Sequence, residues 1–212
     1  MKTNVYVAMT LTLALAACGT PSPADRAEQA AESMTEFRAD IAEGQKQVDT
    51  ATSAANALNT AQDKKAAYDR MVAETANVES KAADLRATAD AMKAKGREFF
   101  KKWEEQIALI KDDSLRTKAK ERSGERSKQY ADLEQKMASV KGAYTPYLQD
   151  LKDLQIAVGN DLNPKGIESA GPALKKLNLD ATELKNKLGD VSKALEPIEN
   201  DLKGGAPAPE KK

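Results

Sequence analysis

The thiol of Cys18 is the first candidate for chemistry in this sequence, because it is the only cysteine among 212 residues. A lone cysteine cannot form a disulfide within one chain. The chain also contains no histidine, so neither a Cys-His nor a Ser-His-Asp catalytic site can be built from it. The common histidine-bearing zinc sites are excluded for the same reason. The role of Cys18, as an ordinary buried thiol or as a modified one, has to be judged from the residues before it.

The residues before Cys18 have the pattern of an export signal. Lys2 supplies a positive charge, and an apolar run over residues 5–17 is interrupted only by Thr10 and Thr12. The run is too short to cross a bilayer as a helix. Its length and its small terminal residues are typical of a signal peptide that is cleaved on export.

The four residues Leu15-Ala16-Ala17-Cys18 resemble the lipobox of bacterial lipoproteins. In that motif the cysteine sulfur accepts a diacylglycerol group, and further acyl chains such as palmitate complete a stable membrane anchor. Gly19 stands where lipoproteins of the inner membrane usually carry Asp, so the resemblance implies the outer membrane, facing the periplasm. We therefore predict a signal peptide over residues 1–17 and a lipidated tether over residues 18–23.

The composition favours helices and argues against nucleic-acid binding. Lys plus Arg and Asp plus Glu number 33 each, which leaves no excess of positive charge. Charged residues make up 31% of the chain and aromatic residues only 4%. A chain rich in Ala, Leu, Lys and Glu is typical of long helices or coiled coils.

Four stripes of apolar residues step by three and four along the chain, which is the period of a helix packed on a partner helix. The stripes run over Ala27–Leu58, Tyr68–Ile110, Tyr130–Val158 and Ile167–Leu202. They predict an all-α fold, an elongated antiparallel bundle of about four long helices over residues 24–203. Helices of this length would run roughly 60 Å at 1.5 Å per residue. Residues 204–212 are predicted to form a flexible tail.

Three breaks separate the stripes. The register shifts by one residue near Asn59–Asp63, which indicates a turn, although one continuous helix with a stammer would give the same shift. Asp112-Asp113-Ser114 and Asn163-Pro164 have the residue types of helix N-caps, and Gly159 is typical of a helix stop.

Prolines and glycines within the stripes carry further expectations. Pro146, Pro172 and Pro197 are expected to kink or fray their helices, because proline removes a backbone donor. Gly44 and Gly96 are expected to let neighbouring helices approach closely.

Residues 114–129 interrupt the apolar pattern with six basic residues and two acidic ones. The basic residues are Arg116, Lys118, Lys120, Arg122, Arg126 and Lys128. They form either a contact for an anionic partner, such as cell-wall polymer or lipid headgroups, or a solvated helix end that projects past its neighbours. Charge runs are usually solvated, so the second interpretation is favoured.

The aromatic residues Phe99, Phe100, Trp103, Tyr144 and Tyr147 suggest either a pocket for an apolar ligand or part of the core. Aromatic residues at heptad spacing are more often core, and that interpretation is favoured. The terminal Lys211-Lys212 has two readings as well. Its amine could be joined to peptidoglycan, as in small helical lipoproteins with a terminal lysine, but a solubilising tail is the commoner role.

No catalytic motif is recognisable, since neither a Gly-rich phosphate loop nor a Ser-x-x-Lys motif occurs. Carboxylates are numerous, but many are spaced as ordinary ion pairs four residues apart on helix faces. Such pairs are Glu98 with Lys102, Asp132 with Lys136, and Glu183 with Lys187. We therefore predict a chain that is not an enzyme and that has no cofactor and no metal site.

A longer pattern resembles a family of bacterial proteins catalogued as Domain of Unknown Function 2959. Its elements here are Phe99, Trp103 and Glu104; Ser114, Leu115 and Arg116; Arg126, Tyr130 and Leu133; Pro146 and Leu148; and, with a small departure, Asn160-Asp161-Leu162-Asn163. The resemblance covers most of the chain after the signal peptide but is patchy before Tyr68. It implies a helical, often lipid-anchored envelope protein and transfers no catalytic residue.

Together these features predict a non-enzymatic lipoprotein, held at the outer membrane through Cys18, with a structural or adaptor role. Its expected partners are the membrane through the anchor, the cell wall or another envelope protein, and a second copy of itself. One alternative is a helical carrier or holdase for an apolar ligand or an unfolded chain. Another is an envelope hydrolase that uses carboxylates alone.

Overall fold

The structure is a computed structural model that describes residues 21–204. The described residues form helices and no strands: α1 (Pro23–Thr60), α2 (Lys64–Ala108), α3 (Asp113–Asn160), α4 (Pro164–Ser169) and α5 (Gly171–Leu202). The four long helices contain 38, 45, 48 and 32 residues, so they are about 50 to 70 Å long. The predicted all-α bundle is confirmed. Cys18 and Lys212 lie outside the described residues.

The four long helices form an antiparallel ring. α1 packs against α2 and α5, and α3 packs against the same two helices. The bundle has two distinct ends. The α2–α3 end of the bundle contains the start of α1, the turn between α2 and α3, and the end of α5. The opposite, α1–α2 end contains the turn over residues 61–63 and the short helix α4. Within residues 21–204, no helix is long and apolar enough to cross a membrane.

The predicted apolar stripes form the core. Every residue of the first stripe from Ala30 to Leu58 is buried, and the α5 stripe from Leu174 to Ile198 is buried as well. Burying a large apolar side chain stabilises the fold by about 1.5 to 3 kcal/mol. The stripes of α2 and α3 are less completely buried, and several of their central members are only half-buried.

The predicted turns and caps are confirmed at three positions. Asp63 accepts a hydrogen bond from the amide of Ala66 at 2.9 Å and caps α2, so α1 and α2 are separate helices. Asp112 caps α3 through the amide of Leu115 at 2.8 Å. Asn163 caps α4 with Pro164 in its first turn.

Ser22 caps α1, and with Asp25 it forms a reciprocal capping box. The Ser22 amide and hydroxyl hold the pKa of Asp25 below its usual range. Each satisfied cap removes an otherwise unpaired amide from the first turn of its helix.

Pro172 disrupts its helix more than the sequence predicts, and Pro146 disrupts its helix less. The fourth predicted helix is divided at Ala170 into α4 and α5, with Pro172 in the first turn of α5. A proline is tolerated in a first turn because the missing donor has no intrahelical partner there. α3 continues through Pro146, and α5 continues through Pro197.

The predicted stop at Gly159 lies one residue before the end of α3 at Asn160. Gly159 is also a point of close approach by Tyr68 of α2. A Cβ atom at Gly159 would lie 2.5 Å from the Tyr68 hydroxyl oxygen. The glycine therefore makes room for a ring near the end of the helix.

Candidate functional site

An apolar cleft of about 810 Å³ opens between α2 and α3 near the middle of the bundle. It exists because stripe residues on both helices do not close against each other. Ala82 and Leu85 of α2, and Met137, Val140 and Tyr144 of α3, are only half-buried. A volume between roughly 300 and 1,000 Å³ is typical of small-molecule sites. We refer to this feature as the α2–α3 cleft.

The floor of the α2–α3 cleft is the apolar face of the other two helices. α1 contributes Phe37, Ile41 and Val48, and α5 contributes Leu184, Leu188 and Val191. These six residues are at most 4% exposed, so the floor is part of the core of the bundle. Gly44 also lies on the floor, and a Cβ atom there would meet only Leu85, at an ordinary contact distance of 3.8 Å.

The mouth of the cleft is bracketed by two ion pairs between α2 and α3. The Nη2 atom of Arg97 lies 2.8 Å from a carboxylate oxygen of Glu134, and the Nζ atom of Lys152 lies 2.6 Å from one of Glu79. In an antiparallel pair, the residues between Glu79 and Arg97 face those between Glu134 and Lys152. The two ion pairs thus set the register of α2 and α3 on either side of the cleft.

Between the bracketing ion pairs the cleft is lined by an excess of positive charge. Five basic and two acidic side chains line it, and both acids already have partners: Glu134 pairs with Arg97 and Asp90 with Lys93. Among the described residues, no carboxylate lies within ion-pair distance of Lys81, Arg86 or Lys141. The register places Arg86 and Lys141 within about one helical turn of each other across the mouth.

Tyr144 is a half-buried polar residue on the α3 wall of the cleft. Burial and the charge of Glu79 raise the pKa of its hydroxyl, and Arg86 acts in the opposite direction. The hydroxyl makes no hydrogen bond to any described residue, so it is free to bond a bound molecule. The cleft thus combines an apolar floor with an unpaired hydroxyl and unpaired cations at its mouth, an arrangement suited to binding a molecule. No nucleophile lies in contact with a base among the described residues that line it.

The five aromatic residues singled out in the sequence do not form one pocket. The rings of Phe99, Phe100 and Trp103 contact one another, with centroids 5.4 to 6.3 Å apart. Tyr130 completes this group at 5.4 Å from Phe100.

Tyr147 is fully buried elsewhere and donates a hydrogen bond to the carbonyl of Val48 at 3.1 Å. Burial raises the pKa of Tyr147 to about 12. Only Tyr144 of the five lines the cleft.

The cleft itself was missed from the sequence, and one signal pointed to it. Two small residues of α2, Ala82 and Ala89, and the flexible Met137 of α3 occupy stripe positions along the cleft. Small residues on a seam leave space when the facing helix does not approach closely enough to fill it, although α1 is fully packed with alanine at several stripe positions. The unpaired basic residues Arg86 and Lys141 lie outside the apolar stripes. Their common position at the mouth of the cleft follows only from the register of α2 against α3, which the sequence does not reveal.

The six predicted contact residues divide into two groups. Arg116 and Arg126 are engaged: Arg116 donates to the carbonyl of Ile110 at 2.8 Å and pairs with Asp113, and Arg126 pairs with Asp201 of α5. The exposed residues are Lys118, Lys120, Arg122 and Lys128. Because Arg126 meets Asp201 next to the last residue of α5, the part of α3 before Arg126 extends beyond α5.

The exposed surface at the α2–α3 end also contains apolar side chains. Leu109 is 78% exposed and Leu115 is 61% exposed. A groove lined by Ile107, Arg116 and Lys120 separates the last turn of α2 from the first turns of α3. We refer to Leu109, Leu115, Lys118, Lys120 and Arg122 as the end surface.

Several carboxylates of the described residues join neighbouring helices. Lys176 bridges Asp150 at 2.7 Å and Asp180 at 2.8 Å. Burial raises the pKa of Asp150, while the hydrogen bond from Lys176 lowers it and neighbouring Asp180 raises it. This trio ties α3 to α5 and lies outside the cleft. No group of three metal-binding side chains occurs within residues 21–204.

Glu199 is the most buried charged group described. Burial would raise its pKa, but hydrogen bonds from Lys203, Arg38 and Thr35 lower the pKa of Glu199 to about 2. The three donors lie 2.7 to 2.9 Å from its oxygens. This cluster fixes the end of α5 against α1.

Comparison with known proteins identifies a family and no function. The family model described as "Protein of unknown function (DUF2959)" matches residues 24–199. No curated protein and no solved structure matches the chain. The matched range includes α2, α3 and α4 completely and nearly all of α1 and α5, so it covers the cleft and the end surface. The resemblance drawn from the sequence motifs is confirmed, and the chain belongs to the DUF2959 family.

Proposed function

We propose that this protein is a non-enzymatic lipoprotein of the bacterial outer membrane, anchored through an acylated Cys18, that serves as a structural or adaptor protein in the periplasm. One observation carries the proposal: the helix that follows Cys18 begins at the same end of the bundle as the end surface. Ser22, which caps α1, is four residues after Cys18. Four residues of extended chain span at most about 14 Å.

An anchored Cys18 would therefore hold the end surface close to the lipid headgroups. Its cations Lys118, Lys120 and Arg122 suit an anionic surface, and Leu109 and Leu115 suit the apolar boundary of a membrane. The helices would then extend about 50 to 70 Å away from the membrane. The turn over residues 61–63 would be the most distant part and would be available to the wall or to another envelope protein.

Metabolic labelling with an acyl probe tests the anchor. We expect label on the wild-type protein, none on Cys18→Ser, and a shift of the variant from the membrane fraction to the soluble periplasm. Globomycin, which blocks cleavage of lipoprotein signals, should cause the precursor to accumulate. A wild-type protein without label would refute the anchor.

Cross-linking tests the adaptor role. A photoreactive residue in place of Gln62, at the distant turn, should trap a wall fragment, an envelope protein or a second copy. The same residue in place of Leu115 should trap lipid. If neither position yields a specific product in living cells, the adaptor proposal fails.

A second candidate function, a carrier for an apolar ligand, is favoured by the α2–α3 cleft. Its buried apolar floor is reached through a mouth that the packing of α2 on α3 leaves open. Native mass spectrometry of protein purified without detergent tests this candidate. We expect a bound species of lipid mass on the wild-type protein, and a clean apo mass would count against a carrier.

A further inference from the structure

We propose that the α2–α3 cleft binds a single-chain amphiphile with an anionic head group, such as a long-chain fatty acid, and that Arg86 and Lys141 bind the head. This inference rests on the carrier function, the second candidate above, and specifies its ligand. The apolar chain lies on the floor formed by α1 and α5. The head group lies at the mouth, between the two ion pairs that join α2 to α3.

The shape of the cleft fits a long unbranched chain. Its lining residues on α2 extend from Val78 to Arg97, a distance of about 28 Å at 1.5 Å per residue. Its floor is mostly apolar from Phe37 to Val48 on α1 and from Leu184 to Val191 on α5, and the polar Gln47 on it already donates to Glu74 at 2.9 Å. A long, narrow apolar surface matches an acyl chain better than a compact ligand.

The charges at the mouth fit an anion. The acids in the lining are already paired, to Arg97 and to Lys93, whereas Arg86 and Lys141 have no acidic partner among the described residues. A carboxylate or phosphate there would receive charge-assisted hydrogen bonds from both cations. The Tyr144 hydroxyl, which makes no hydrogen bond within the described chain, would add a third donor. A cationic head group would meet repulsion at the same position.

The test compares a fluorescent long-chain fatty acid with its methyl ester on the full chain carrying Cys18→Ser, which has no acyl anchor of its own. We expect the fatty acid to bind more tightly than the ester. The double variant Arg86→Gln/Lys141→Gln should weaken binding of the acid by about tenfold or more. It should leave binding of the ester unchanged, because the floor is intact.

Three further variants are matched to this comparison. Lys118→Gln/Lys120→Gln removes the same charge at the end surface and should change neither affinity. Gly44→Leu fills the floor and should abolish binding of both probes, and Val140→Phe fills it from α3 if Gly44→Leu does not fold.

Each outcome has one meaning. Equal binding of acid and ester, with no effect of the double variant, would overturn the anionic head group and leave a carrier of apolar molecules. Binding of neither probe would overturn the carrier function as well. Binding that survives in a folded cleft-filling variant would show that the ligand lies outside the cleft and would overturn the proposed site.

Discussion

Gly96 of α2 lies directly beneath the ring of Tyr130 of α3, so that a Cβ atom on Gly96 would be 2.5 Å from the Cζ atom of the ring. The Tyr130 hydroxyl crosses this position to donate to the carbonyl of Lys93 at 3.2 Å. Burial raises the pKa of Tyr130, and the charge of Glu134 raises it further. Tyr68 of α2 and Gly159 of α3 make the same kind of contact, so the packing of α2 on α3 depends at two places on a missing side chain.

Two glycine-to-alanine substitutions should therefore change the free energy of unfolding in opposite directions. Gly96→Ala forces the Tyr130 ring away and should lower the free energy of unfolding by about 1 to 3 kcal/mol. Gly44→Ala meets only Leu85 at 3.8 Å and should raise it by about 0.5 to 1 kcal/mol, because glycine is unfavourable inside a helix. Urea unfolding followed by circular dichroism measures both, and equal effects would contradict the difference in packing.

Stability should fall in acid because of Glu199. Its folded-state pKa is about 2 against 4.5 for an ordinary glutamate. The group therefore contributes stability that is fully present above about pH 4.5 and is lost as pH falls toward 2. Glu199→Gln should lower the free energy of unfolding at neutral pH by about 1 to 3 kcal/mol. The difference in unfolding free energy between the wild-type protein and Glu199→Gln should be smaller at about pH 3 than at neutral pH. A difference that does not change with pH would show that Glu199 is not the titrating group.

Asn56 of α1 and Asn178 of α5 exchange two hydrogen bonds between their side-chain amides, at 2.9 and 3.1 Å. A polar pair in a helix seam fixes the register of the two helices. A double-mutant cycle with Asn56→Ala and Asn178→Ala should give a coupling energy of about 1 kcal/mol. Strictly additive unfolding free energies would mean that the pair does not bond in solution.

The end surface should bind anionic membranes without the acyl anchor. In protein carrying Cys18→Ser, Leu109→Glu and Leu115→Glu should each weaken binding to phosphatidylglycerol vesicles. Leu179→Glu is the matched control, since Leu179 is 71% exposed on α5 and outside the end surface. Vesicle co-sedimentation measures the three variants, and a loss with Leu179→Glu equal to the others would indicate a nonspecific charge effect.

The sequence predicted the helices better than it predicted the site. The stripe from Ala30 to Leu58 was identified residue by residue, because heptad spacing directly encodes which face of a helix is buried. The caps at Asp63 and Asp112 were identifiable because capping depends on residues close in the chain. The cleft depends on the distance between α2 and α3. This distance is set by contacts between residues that are far apart in the sequence. The contact between Gly159 and Tyr68 was missed for the same reason, since Tyr68 belongs to another helix.

An even number of long antiparallel helices returns the chain to the end from which it started. Ser22 and Leu202 consequently lie at the same end of the bundle, and the Arg38–Glu199 ion pair joins their helices nearby. If the proposed anchor at Cys18 is present, a fluorescent probe at the end of α5 would report from beside the lipid, and one inserted at Gln62 would report from the opposite end of the bundle. The two probes together would then measure the height of the bundle above the membrane.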